Sequence, residues 1–164
     1  VSPLAHTMSR LGIFIIWLLH FLPLAVLAGF GEGFGFLLYA LASERRRVAR
    51  INLRLCFPEM ADAERERLVR RHFRAFGRSV LERGILWWSR PARIKRLIHI
   101  EGWENVAPHL GKPLILMVPH FVGLDVGWTR LTLEHQMASI YSKQKNPLFN
   151  QTLLRGRLRF GSRP

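Results

Sequence analysis

The stretch Leu114-Ile115-Leu116-Met117-Val118-Pro119-His120-Phe121-Val122-Gly123-Leu124-Asp125 decides how the chain reads. Five apolar residues in succession have the length and composition of a buried strand. Pro119 ends the run, His120 follows at once, and Asp125 lies five positions further on, just past Gly123. A histidine delivered at a strand end, with a carboxylate in the next turn, can form a general base with its orienting partner. On one regular helix, side chains five apart diverge by about 140°. His120 and Asp125 therefore meet only if His120 sits in the loop and Asp125 in the first turns of the following helix. Pro119 and Gly123 permit that bend. The plainer alternative is a surface histidine beside a helix whose early aspartate complements the helix dipole.

The flanking sequence extends the same pattern. Residues 98–101 read as a short strand, Gly102 as a turn, and 103–110 as a short helix. Gly111-Lys112-Pro113 leads into the central run. After His120 come a predicted helix over about 123–134 and a strand over 137–141. Asn146 is a candidate N-cap with Pro147 in the first helical position, and that helix runs to about Leu158. Strand, crossover helix, strand is the grammar of α/β proteins, whose ligands gather at the carboxyl ends of strands. The expected fold class is α/β: an N-terminal membrane helix and helical hairpin, then an incomplete sheet with flanking helices.

Charge narrows the partners. The 164 residues carry 25 Lys+Arg against 11 Asp+Glu, a net charge of +14. Such an excess suits an anionic partner: nucleic acid, an acidic membrane surface, a phosphorylated substrate or an acidic protein. The single Cys56 excludes an internal disulfide and offers no metal cluster; it reads as a small core residue. There is no glycine-rich phosphate loop and no zinc-ligand spacing, and no metal or cofactor is expected.

The N-terminal region favours the membrane. Residues 11–30 contain no Asp, Glu, Lys or Arg. That matches the ~20 residues that cross a hydrocarbon layer. His20 and Pro23 interrupt the run without forbidding a membrane helix. A second apolar run over 33–42 is too short to span alone. Then come Glu44-Arg45-Arg46-Arg47, Arg50 and Arg54, with only Arg10 ahead of the apolar run. The positive-inside rule places the carboxyl side, with His120, in the cytoplasm. These arginines also suit anionic lipid head groups. A cleaved signal peptide is the rival, with Ala25-Val26-Leu27-Ala28 a weak imitation of its cleavage site. The expected organisation is therefore residues 1–42 as anchor or interfacial segment and 43–164 as the beginning of a catalytic domain.

Two helices should link the anchor to the central run. Residues 45–57 form a basic helix with Val48, Ile51 and Leu55 on one stripe, ended by Pro58. Asp62 is a plausible N-cap for a long helix to about Trp88, in which Val69, Phe73, Phe76 and Val80 recur at helical spacing. Gly77 and Gly84 cost helix propensity and suggest close packing.

Specific motifs then accumulate: Asn52-Leu53-x-Leu55-Cys56-Phe57-Pro58-Glu59-Met60, Glu64-Arg65, Phe73, Gly77, Glu82 and Trp87-Trp88. Gly102-Trp103-Glu104-Asn105-Val106 precedes the central run. His120-x4-Asp125, Asn146-Pro147-Leu148 and Gly156-Arg157-Leu158-Arg159 follow. In these the chain resembles the lauroyl/myristoyl transferases of lipid A biosynthesis, within the lysophospholipid acyltransferase superfamily. The resemblance runs from about Leu11 to Phe160 and implies a glycerolipid-acyltransferase-like sheet.

The resemblance also implies a reaction. An acyl chain passes from acyl carrier protein, or acyl-CoA, to a hydroxyl of a lipid A precursor at the bacterial inner membrane. His120 would take the hydroxyl proton, and Asp125 would fix the imidazole and stabilise its charge. Arg157 matches an arginine that holds substrate phosphate or the developing oxyanion; otherwise it is an ordinary exposed arginine near a helix end. Cys56 is not the nucleophile. Members of the family are considerably longer, so the segment is expected to be C-terminally incomplete and poorly active alone. The alternatives are a non-catalytic, membrane-anchored binder of anionic lipid, or a relative acylating another lipid acceptor. Nucleic acid is the weakest partner, because no reader motif appears.

Overall fold

The computed structural model describes residues 3–161. Among the described residues seven α-helices follow one another: α1 Pro3–Leu19, α2 Leu24–Leu41, α3 Ser43–Cys56, α4 Asp62–Trp88, α5 Pro91–Leu97, α6 Leu124–Thr132 and α7 Pro147–Leu158. Two short 3-10 turns, Trp103–Asn105 and Ala107–His109, lie between α5 and α6. The chain forms two compact units, one of Val1–Trp17 with Gly84–Pro164 and one of Leu18–Arg83.

The expected sheet does not form. Among the described residues there is no strand, only an isolated bridge position at Ala138, and the architecture is all-α. Residues 113–120 are non-helical and lack ladder partners. Ile115 and Met117 are 95 % and 97 % exposed, and Ile140 is also fully exposed. The physical reason is that an apolar run specifies burial only if something is there to cover it. A strand exists through hydrogen bonds to a neighbour, which periodicity cannot supply.

The N-terminal apolar run also differs from expectation. It is two helices, broken at His20–Pro23, and not one span over 11–30. The Leu22 N–H donates to the Leu19 carbonyl (3.1 Å) in a turn, and Pro23 becomes the N-cap of α2. Proline lacks the N–H an uninterrupted helix needs and pushes the preceding residue out of helical conformation. The second apolar run is consequently absorbed into α2, which is long and apolar enough to cross a membrane.

Within the unit Leu18–Arg83, α2 and α4 pack backbone to backbone. A Cβ on Gly77 would lie 2.3 Å from the Gly31 carbonyl oxygen and 2.4 Å from the Gly35 nitrogen. One on Gly35 would lie 2.3 Å from the Phe73 carbonyl oxygen. Gly31-x3-Gly35 thus offers α4 a smooth face of the small-xxx-small kind. The close packing expected of Gly77 is present. Val69 and Phe73 are buried along that side of α4, whereas Phe76 is exposed. Asp62 is the first helical residue, not the cap, and pairs with Arg65 at 2.6 Å. On α3 nothing is buried; Val48, Ile51 and Leu55 stay exposed, and so does Cys56, which is not the core residue expected.

The unit of Val1–Trp17 and Gly84–Pro164 has a small core of Leu86, Trp87 and Leu153, with Val126, Tyr141 and Phe149 packed on it. α7 begins as expected. The Asn146 side chain accepts from the Phe149 N–H (3.0 Å), with Pro147 next to it. Asn146 Nδ2 also donates to Ser9 Oγ at 2.7 Å.

Candidate active site

His120 stands at the centre of a three-residue turn. The Phe121 N–H donates to the Pro119 carbonyl at 2.9 Å, and no non-glycine residue among those described has positive φ, so this is the inverse γ form. The Leu124 N–H then donates to Phe121 (3.1 Å), and α6 starts at once. The bend allowed by Pro119 and Gly123 is therefore made, with His120 in the loop and Asp125 in the first turn of α6. His120 is exposed.

Asp125 is engaged by Arg157. The guanidinium donates from Nε (3.0 Å) and Nη2 (2.6 Å) to Oδ1, and the two side chains are 24 % and 16 % exposed. Arg157 arrives from α7, whose Gly156 passes so close to Trp87 that an added Cβ would fall 2.1 Å from the indole Cδ1. The Arg157 carbonyl accepts from Trp128 Nε1 (3.3 Å), a bond between α6 and α7. Its guanidinium carbon lies 5.7 Å from the centre of the Tyr141 ring, within cation–π reach. The Tyr141 hydroxyl pairs with Asn150 Oδ1, which also accepts from the Gln144 N–H at 2.8 Å. One face of α7 thus orders the segment before it and delivers Arg157 to the start of α6.

The sequence singled out His120, Asp125 and Arg157 as candidates, but it did not announce the ion pair between the last two. Asp125 and Arg157 lie 32 positions apart, and no local pattern announces such a pair. The signal present was Gly156-Arg157, a small residue beside an arginine, which the packing on Trp87 now explains.

The bacterial lipid A biosynthesis acyltransferase family model matches residues 2–163. The chain belongs to that family. A lipid A biosynthesis acyltransferase of Haemophilus influenzae is 34 % identical over 140 residues, covering 84 % of this chain and 45 % of that protein. The lipid A biosynthesis palmitoleoyltransferase of Escherichia coli is 30 % identical over 156 residues, covering 94 % and 51 %. The lauroyltransferase of the same organism is 31 % identical over 156 residues, with the same shares. This chain spans about half the length of the curated relatives it matches. No solved structure matches it significantly.

Among the described residues of this family member, no group of His, Cys, Asp and Glu side chains is arranged to hold a metal ion.

Proposed function

We propose that the protein containing this chain transfers a fatty acyl group from a thioester donor, acyl carrier protein or acyl-CoA, to a hydroxyl of a lipid A precursor. The observation that carries the reading is His120-x4-Asp125 at a loop-to-helix junction in a chain of this family. His120 removes the hydroxyl proton as the oxygen attacks the thioester carbonyl. General-base help of this kind is worth ~10²–10⁴-fold. The C–O bond forms, the C–S bond breaks, and the proton leaves with the thiol. Asp125 orients the imidazole and stabilises its positive charge. The imidazole and carboxylate draw together when substrate is bound, as catalytic hydrogen bonds commonly do. Arg157 holds the Asp125 carboxylate from one side. Its five N–H donors leave capacity for a substrate phosphate or the thioester oxyanion.

The site works at a membrane. α2 is long and apolar enough to span one, and α1 and α2 expose Phe14, Leu18, Phe30, Phe36 and Leu41. α3 follows with an apolar stripe and arginines, the composition of a helix lying in the lipid interface. The inner membrane, with the arginines and His120 on its cytoplasmic side, fits this order.

The test is mass spectrometry of lipid A from cells with the gene intact, deleted, or carrying His120→Ala. Deletion and H120A should both remove one acyl chain, with the variant still in the membrane fraction. Retention of that chain in H120A would overturn the reading. It would favour a non-catalytic lipid-binding protein or a different acceptor.

A further inference from the structure

Within the unit Leu18–Arg83, a cleft of about 490 Å³ opens between the last turn of α2, α3 and the first turns of α4. Tyr39, Arg50, Arg54, Arg65 and Arg70 line it, with the carboxylates Asp62 and Glu66. Four guanidinium groups against two carboxylates leave it positive by two charges.

The carboxylates order the arginines. Glu66 accepts from Arg50 Nε (2.7 Å) and Nη2 (2.9 Å) and pairs with the Tyr39 hydroxyl. Arg65 donates to Asp62 (2.6 Å) and to the carbonyls of Phe57 (2.9 Å) and Pro58 (3.1 Å). Arg70 is only loosely drawn in, 3.8 Å from Glu66. Arg46 closes the neighbouring helix end, donating to the carbonyls of Tyr39 and Ala40. Arg50 and Arg65 are thereby fixed in place, while Arg54 and Arg70 are left to receive an anion. The start of α4, with its positive dipole end, faces the same space.

The depth of the cleft matters. Tyr39 is in the last turn of the helix apolar enough to cross a membrane, and the arginines begin immediately after it. A positive pocket at that boundary sits where lipid phosphates lie.

We infer that this cleft is a phosphate-binding site, taking a phosphate group carried by a lipid at the membrane boundary or free in solution. Planar guanidinium groups converging from two helices match phosphate geometry. The inference does not rest on acyl transfer, and its test reads binding without turnover.

The chain, solubilised in neutral detergent, is titrated with short-chain phosphatidylglycerol, with phosphatidylcholine and with inorganic phosphate. Two charge-matched double variants are compared, R54Q/R70Q in the cleft and R45Q/R47Q on the same stretch outside it. Helix content is checked by circular dichroism. R54Q/R70Q should weaken phosphatidylglycerol binding about tenfold or more, as expected for lost charge-assisted bonds. R45Q/R47Q should change it less than threefold. Comparable binding of inorganic phosphate, lost in the same variant, assigns the free ion; its absence assigns the lipid head group. No binding of either, or equal effects of the two double variants, would overturn the site, the latter result leaving only diffuse surface attraction.

Discussion

Arg157 reaches across from α7 to place two N–H groups on one carboxylate oxygen of Asp125, at 3.0 and 2.6 Å, in the first turn of α6. Both side chains are mostly shielded from water. The pair fastens the start of α6 to the end of α7. It therefore bears on the placing of the proposed catalytic carboxylate as well as on stability.

Removing either partner takes two charge-assisted hydrogen bonds from the other. Arg157→Ala and Asp125→Ala should each cost about 1.5–3 kcal/mol, the range for hydrogen bonds to charged groups. The double variant should cost less than the sum, with a coupling of about 0.5–3 kcal/mol. Arg157→Lys should behave more like Ala than like wild type, because an ammonium cannot reproduce the two-bond fork. Denaturation of the detergent-solubilised chain measures this, and strict additivity would show that the pair contributes nothing.

The α2–α4 contact is tight enough for one methyl group to matter. Gly77→Ala gains helix propensity, but its Cβ would fall 2.3 Å from the Gly31 carbonyl oxygen. Overpacking should win, with a net loss of about 1–3 kcal/mol. Gly33→Ala on α2 meets nothing within 4 Å and should be neutral or stabilising by up to about 1 kcal/mol. Melting temperatures of the two variants should move in opposite directions or differ clearly. Equal shifts would mean the helices are not in close contact.

Acid should loosen the unit Leu18–Arg83. The Arg50 guanidinium holds the Glu66 carboxyl down to about 2, against loss of hydration and with help from the Tyr39 hydroxyl. A carboxyl whose folded value lies below its unfolded value stabilises fully above the unfolded value of 4.5. That contribution fades as pH falls from there towards about 2. Glu66→Gln should lower stability at pH 7 and flatten this acid-side decline. Glu134, held down to about 2 by Arg130 and then by Lys95, belongs to the other unit and should give that unit an acid-side decline which E66Q leaves in place. Parallel melting curves for E66Q and wild type from pH 6 to pH 2.5 would contradict the assignment.

Asn146 caps α7 through the Phe149 N–H. Asn146→Ala should cost about 1 kcal/mol, within the 0.5–2 expected for a lost cap, and Asn146→Asp much less. Because α7 carries Arg157, the alanine variant should also loosen the Asp125 pair, visible as faster hydrogen exchange at the start of α6. Unchanged exchange there would uncouple the cap from the site.

Short-range features of the chain were decided by the sequence itself. Pro23, Pro58 and Pro147 set helix limits through a missing N–H and a restricted φ; Asn146 capped the last helix; the spacing of Val69 and Phe73 chose the buried side of α4. The loop-then-helix placement of His120 and Asp125 was legible for the same reason, since it depends on a handful of adjacent torsions. Features that need a distant partner were decided only by the tertiary structure. The run 114–118 has the composition of a strand yet remains exposed, because no neighbour pairs with it among the described residues. The Arg157–Asp125 and Arg50–Glu66 pairs and the Gly31–Gly77 crossing join residues 32, 16 and 46 positions apart. Composition and periodicity record what each segment can bury or bond; which segment answers it is set by packing in three dimensions.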